Sequence, residues 1–179
     1  MEIWHEIKED QERGAKRLVA ECGDRLYAAA LLLCRDRSHA EDLVFRTMSR
    51  AIRRIGQYRE TAPFYSWLYT ILLNIHRSDM RKLKAEVLPS GTISDDLVPV
   101  WANLQSPITR EDALAVREAV RALPSPFRET VLLRYFEDNS LNEIAEIMSV
   151  PVGTAKSRLV RALKRLNELL ADLFKENGK

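Results

Sequence analysis

Residues 140–170 read SLNEIAEIMSVPVGTAKSRLVRALKRLNELL, and this stretch decides the architecture. Ser140 and Glu143 form an S-x-x-E capping box, which predicts a helix start, and Leu141, Ile144, Ala145 and Met148 follow on one face. Ser149 to Gly153 then breaks the period with Pro151 and Gly153, residues that a continuous helix tolerates only at a cost. Thr154 is placed to cap a second helix. Ala155, Leu159, Ala162, Leu163, Leu166 and Leu170 supply that helix with a buried stripe, while Lys156, Ser157, Arg158, Arg161, Lys164 and Arg165 gather on its other side. Ala145 is small where two such helices approach most closely. Two helices joined by a tight turn, the second cationic, is the arrangement that sets a helix into the major groove of DNA. Two helices of an ordinary bundle with a solvated basic face would read similarly, so the rest of the chain has to discriminate.

The 179 residues suffice for one medium or two small domains, and 46% hydrophobic with 30% charged residues is the balance of a soluble globular protein. The 28 Lys and Arg against 26 Asp and Glu leave a formal charge of only +2, so an affinity for nucleic acid has to rest on where charges sit. They are segregated. From Arg46 to Lys82 there are eight cations against two acids, and from Glu86 to Glu118 six acids against two arginines. No apolar run approaches the roughly 20 residues that span a bilayer, and MEIWHEIKEDQER is too polar for a signal peptide, so a cytoplasmic location without membrane insertion is expected. Cys22 and Cys34 lack the paired spacing of a zinc site and are read as reduced thiols. His5, His39 and His76 are scattered, and no catalytic constellation or cofactor motif can be built from them. An enzyme is not expected, and neither a metal nor a cofactor.

Gly and Pro are sparse through the first 85 residues and helical periodicity is nearly continuous, which predicts an all-α chain. Helices are expected around Ile7 to Glu21 and from Asp24 to Leu33. A further one, opened by a Ser38–Glu41 capping box and ended by Gly56, should run through Ile55. An irregular segment, Gln57 to Pro63, precedes a long helix from Phe64 to Leu83. Glu86 to Pro107 carries four Pro or Gly residues and no period, so it is expected to be a flexible linker, with Val98, Val100, Trp101 and Leu104 making it stickier than a neutral spacer. Beyond it, Thr109 is expected to cap a helix to Leu123, and Ser125–Pro126 to open another through Tyr135. The expected organisation is two small helical domains, 1–85 and 108–179, joined by a linker at 86–107.

HAEDLV at 39–44, FYSWLYTILLN at 64–74 and LPSPFRETVLLRYFEDNSLNEIAEIMSVPVGTAKSRLVRALKRL at 123–166, with the linker between them, resemble an extracytoplasmic-function (ECF) sigma factor of bacterial RNA polymerase. The resemblance covers nearly the whole chain. It implies a sigma region 2 domain that binds core polymerase and reads and melts the minus-10 element, and a sigma region 4 domain whose helix-turn-helix reads the minus-35 element. It implies as partners promoter DNA, the polymerase core through its clamp coiled coil and the flap of its large subunits, and an anti-sigma factor.

By that resemblance Lys156, Ser157, Val160 and Arg161 face base edges and adjoining phosphates, while Arg158 and Lys164 touch phosphate or solvent. Arg161 is the strongest candidate for base readout, because a guanidinium can bond guanine at two points. For the minus-10 element the candidates are Tyr58, Arg59, Phe64, Tyr65, Trp67, Asn74, Arg77 and Arg81, since aromatics, cations and an amide are the groups that hold unstacked bases. Core packing is an equally natural use for Trp67 and Tyr69. Core polymerase is expected to meet Asp42, Phe45, Arg46, Met48 and Arg50. Here the chain departs from the family, which commonly has Gln and an acid where Phe45 and Arg46 stand. Ser149 likewise replaces a frequent Gly in the turn.

Three other classes remain to be distinguished. A response-regulator type of helix-turn-helix protein would carry an α/β receiver domain, and nothing before Glu86 alternates strands with helices. An anti-sigma or adaptor protein mimicking a sigma factor should be acidic where 154–166 is basic. An enzyme acting on nucleic acid would need clustered carboxylates or a metal site, and the acids concentrate in the linker.

Overall fold

A computed structural model describes residues 2–34, 36–61, 63–86, 110–135 and 137–177. The expected linker at 86–107 and the Thr109 cap lie, but for Glu86, outside the described residues. Eight α-helices and one 3-10 turn are present, with no strand among the described residues. The chain divides into two compact units, the first holding α1 (Ile3–Glu9), α2 (Gln11–Leu33), α3 (Arg37–Arg53), the turn Ile55–Gln57 and α4 (Phe64–Glu86). The second holds α5 (Arg110–Ala122), α6 (Ser125–Tyr135), α7 (Leu141–Met148) and α8 (Val152–Asn177).

In the first unit α2 packs against α1, α3 and α4, burying Leu18, Leu26, Leu43, Leu68 and Leu72. The break expected near Cys22 to Asp24 does not occur, because α2 runs unbroken from Gln11 to Leu33. Gly23 lies within it against α3, where an added Cβ would stand 3.6 Å from the Met48 methyl. Packing of that helix pair outweighs the roughly 1 kcal/mol that glycine costs a helix. The helix expected from Ile7 starts instead at Gln11, where the Asp10 carboxylate accepts from the Arg13 N–H at 3.1 Å. A separate short helix, α1, precedes it. α3 also opens earlier than the expected Ser38–Glu41 box, since Asp36 accepts from the His39 N–H at 2.9 Å and caps it. It ends at Arg53, and Gly56 falls inside the 3-10 turn rather than closing the helix.

In the second unit α8 packs against α5, α6 and α7, with Ala155 and Ala162 wholly buried along the seam. The expected stripe is rotated slightly. Leu163 is 39% exposed, since at about 100° per residue it lies about 80° round the helix from Ala155. α6 begins at Ser125, one residue early, with the Pro124 carbonyl accepting from Phe127 and Arg128 while the Ser125 hydroxyl donates to Glu129. α8 likewise begins at Val152 rather than after a Thr154 cap, because the Pro151 carbonyl accepts from the Thr154 and Ala155 N–H groups at 2.8 and 3.1 Å.

The capping box that opens α7 has both of its bonds. The Ser140 N–H donates to Glu143 Oε2 at 2.7 Å and the Glu143 N–H to the Ser140 hydroxyl at 3.3 Å. Its other end is a Schellman turn: Val150 N–H donates to Ala145 O at 2.9 Å and Ser149 N–H to Glu146 O at 3.0 Å. That geometry holds Ser149 at φ 54°, ψ 50°, a left-handed conformation that a Cβ makes costly. Ser149→Gly should therefore stabilise the protein by about 0.5 to 1 kcal/mol, less than the full strain because glycine also loosens the unfolded chain. Urea unfolding followed by circular dichroism checks this, and an unchanged or lowered midpoint would contradict it.

Candidate nucleic-acid interface

Along α8 the back of the helix is apolar and the front is cationic. Lys156, Ser157, Arg161 and Lys164 are exposed and Arg158 is partly so. Val160, 60% exposed, is the apolar member of the same outer surface. The Ser157 hydroxyl donates to the Thr154 carbonyl at 3.0 Å, which directs its proton along the helix and leaves its lone pairs outward. Arg165, farther along, donates to Glu168 at 3.0 Å. The front of α8 thus presents point charges, a fork-shaped guanidinium, a hydroxyl and a methyl-bearing side chain on one rigid rod, the set needed for phosphate contact and base-edge readout together.

The start of α7, the first helix of the pair, is fixed by its capping box. The Glu143 carboxylate is held below the usual carboxylate range by side-chain hydrogen bonding to Ser140 and then by the Ser140 backbone N–H. Because its folded value is depressed, this contribution to stability is complete above the unfolded value near 4.3 and fades as pH falls through the lower folded value. Melting temperatures measured from pH 6 down to pH 3 should fall less steeply for Glu143→Gln than for the parent protein. Parallel curves would exclude the linkage.

In the first unit the residues expected to meet the minus-10 strand separate into three settings. Tyr58 is only 8% exposed, and its ring is the hub of an aromatic cluster. Phe64 meets it edge-on at 5.1 Å and Trp67 at a tilt at 5.4 Å, with Phe64 and Trp67 stacked at 5.7 Å. Burial pushes the Tyr58 phenol above its usual pKa, with Glu60 and Glu2 adding to the effect, so the ring stays neutral. Tyr65 points to a different neighbourhood, where the Arg25 guanidinium lies over its ring at 4.1 Å and Tyr69 is 6.2 Å away. Arg59, Asn74 and Arg81 are exposed and Arg77 is partly so. Asn74, Arg77 and Arg81, three and four residues apart, share one face of α4. The aromatic cluster closes the two ends of the segment 58–63, and the amide and cations continue from it along α4.

The polymerase candidates on α3 also divide. Asp42, Phe45 and Arg50 are exposed, Phe45 to 71%, whereas Met48 is buried against α2. Arg46 is engaged within the unit. Its Nη1 donates to Asp42 at 2.9 Å and to Asp79 of α4 at 2.8 Å, and its Nη2 to the second Asp79 oxygen at 3.0 Å. Hydrogen bonding to Asp79 and then Asp42 raises its pKa further. Sequence reasoning missed this bridge and the role of Trp4, whose ring lies 5.6 Å from that of Tyr58. An aromatic at 4 and a cation facing an acid 33 residues away give no periodic signal.

Among the described residues no group of three or more potential metal ligands occurs, and no helix is long and apolar enough to cross a membrane.

A helical unit with an aromatic-to-cation edge, followed by a helix-turn-helix unit, is the construction of a bacterial transcription-initiation factor. Residues 18–86 match the family model for Sigma-70 region 2, and residues 113–166 that for Sigma-70, region 4. The RNA polymerase sigma-H factor of Pseudomonas aeruginosa is 27% identical, over 96% of this chain and 95% of its own. The ECF RNA polymerase sigma factor EcfG of Rhodopseudomonas palustris is 32% identical, over 81% of this chain and 78% of its own. Among solved structures, the sigma factor RpoE of Bartonella quintana, in complex with the anti-sigma factor NepR, aligns with a TM-score of 0.71 at 29% identity, over 87% of this chain and 96% of that one. The chain belongs to the ECF RNA polymerase sigma factors, whose function is transcription initiation. The receiver-domain alternative is not favoured, the described part of the first unit being helical throughout.

Proposed function

We propose that this sigma factor joins the polymerase core in the cytoplasm, reads a two-part promoter and opens the duplex, leaving all chemistry to the polymerase. Residues 1–85 form the region 2 domain, 86–107 join the two domains, and 108–179 form the region 4 domain. The observation that carries this reading is the exposed face Asn74–Arg77–Arg81 continuing from the aromatic segment, in a chain that also presents a cationic helix with an apolar back.

At the minus-35 element α8 enters the major groove. Arg161 reads guanine, Lys156, Ser157 and Val160 meet neighbouring base edges, and Arg158 and Lys164 neutralise phosphates. At the minus-10 element the duplex is opened by capture of an unstacked base. Arg59, Phe64 and Trp67 receive it beside Tyr58, Tyr65 with Arg25 over its ring stacks on a neighbouring base, Asn74 bonds the captured base's edge, and Arg77 and Arg81 hold the strand. Asp42, Phe45 and Arg50 on the outer face of α3 dock on the clamp coiled coil, with Arg46 and Met48 fixing that face from within, and the second domain engages the flap. Like the Bartonella quintana relative, which was solved with an anti-sigma factor, the protein is held inactive by a partner of that kind.

Run-off transcription with core polymerase and a randomised promoter pool tests the whole reading. Transcripts should start from templates sharing two spaced elements, and absence of any sigma-dependent transcript would reject it. Arg161→Ala should relax selection at one minus-35 position by about 1 to 3 kcal/mol, seen as loss of a single preferred base in the selected pool. An unchanged preference would remove Arg161 from base readout. Asn74→Ala should weaken open-complex formation more than closed-complex binding. Permanganate reactivity of the melted region, compared with gel-shift affinity on the same promoter, separates the two, and equal losses would argue against a base contact.

A further inference from the structure

The short helix α1 has no part in the functions assigned above, yet it is tightly held. Seven residues are too few to keep a helix in water, so its order comes from packing. Gly14 provides the seat: a Cβ there would stand 2.5 Å from both Cα and N of Ile7, so the backbones of α1 and α2 meet where no other residue fits. Glu6, only 4% exposed, pairs with Arg13 at 2.5 Å and Arg17 at 3.0 Å, locking α1 against rotation. Trp4, 6% exposed and one turn before Ile7, meets the Tyr58 ring edge-on at 5.6 Å, with the Lys8 ammonium over its own ring at 4.6 Å.

Tyr58 is the first residue of the segment 58–63, and it touches Phe64 and Trp67 in the opening turn of α4. The chain of contact therefore runs from a backbone seat at Gly14 through Trp4 to both ends of that segment. We propose that α1 is the backing wall of the strand-reading segment, and that Trp4 is a positioning residue for base capture, acting through Tyr58. The inference rests on the minus-10 reading of that segment. Pulling a base from its stack is repaid only by groups already in place to receive it. Removing the Trp4 ring takes away no group that touches DNA, but it frees one side of Tyr58 and with it the spacing between segment and helix. Base selectivity then falls, while duplex binding by α8, which is carried on the other unit, does not.

The test uses holoenzyme assembled from core polymerase and the full chain, with fluorescent single-stranded minus-10 oligonucleotides taken from the selected promoter pool. Affinities are compared for the matched strand and for strands substituted at each position, alongside affinity for a minus-35 duplex. The parent protein should prefer the matched strand. Trp4→Ala should shrink that preference by at least about threefold, a value within the range of one lost aromatic pair, with minus-35 binding unchanged. Trp4→Phe, which keeps a ring edge toward Tyr58, should restore most of it. Gly14→Ala, which disturbs the seat without touching the aromatic cluster, should reproduce the Ala phenotype. If Trp4→Ala does not fold, Trp4→Leu, which keeps apolar volume without a ring, takes its place. Parent-like selectivity in the ring-deleted variant, or equal weakening on matched and substituted strands, would overturn the positioning role. A parent protein without any base preference would instead reject the minus-10 reading itself.

Discussion

Ala155 and Ala162 are wholly buried although charged residues surround them in sequence, and the second unit is organised by that seam. Their small side chains let α8 lie close on its neighbouring helices, so the helix is fixed from one side without using its long side chains. Lys156, Arg161, Lys164 and Arg165 are then left exposed, while Arg158, three residues from Ala155 and four from Ala162, flanks the seam and is partly covered. The turn before α8 adds direction. The Schellman bonds at Ser149 and Val150, with Pro151 starting the next helix, fix the angle between α7 and α8 through backbone atoms alone. A left-handed serine is tolerated there because the two hydrogen bonds and the buried Ile144, Ala145 and Met148 over-determine the conformation.

The first unit solves a different problem. A groove-reading helix can be stiff throughout, but a surface that receives an unstacked base needs an irregular segment whose ends do not drift. Between the 3-10 turn and α4 the backbone of 59–61 lies outside any helix, tied at one end by the Tyr58 N–H to the Ile55 carbonyl and at the other by the Pro63 carbonyl to the Trp67 N–H, so side-chain contacts add to its positioning. On the proposed minus-10 reading Tyr58 meets that need through its ring contacts with Trp4, Phe64 and Trp67. The aromatic richness of FYSWLY is therefore partly structural. Trp67 and Phe64 hold the frame from which their own exposed edges, and the Asn74 face beyond, are presented.

Much of this was legible in the sequence wherever a single helix's pattern carried the information. The all-α class, the Ser140–Glu143 box, the tight turn and the cationic front of α8 follow from spacing and residue type. Boundaries failed where a competing acceptor lay just upstream: Asp36 outbid Ser38, and the Pro124 and Pro151 carbonyls opened helices before Ser125 and Thr154 could cap them. The break expected between Glu21 and Asp24 is absent because Gly23 packs against α3 near Met48, a contact that only the folded arrangement supplies. The wall built by α1 was invisible for the same reason, since Trp4, Gly14 and Tyr58 are far apart in sequence and belong to no shared period.

The two departures on α3 are not equivalent. Replacing an acid by Arg46 would reverse the local charge if the side chain stood free, but it bonds both oxygens of Asp79 and one of Asp42. Two carboxylates around one guanidinium leave that patch net anionic, so Arg46 adds no free positive charge to the surface and instead links α3 to α4. Such a partly exposed pair contributes little to net stability, and its effect is chiefly geometric. Phe45 pairs with no aromatic ring among the described residues and remains 71% exposed, with the polar Asp42 and Ser49 three residues before and four after it on the same helix face. A large apolar side chain within a polar rim is the composition of an interface anchor. If α3 is the polymerase face, the sequence change that matters to the partner is the aromatic one, and the arginine beside it holds the helix from which that anchor projects.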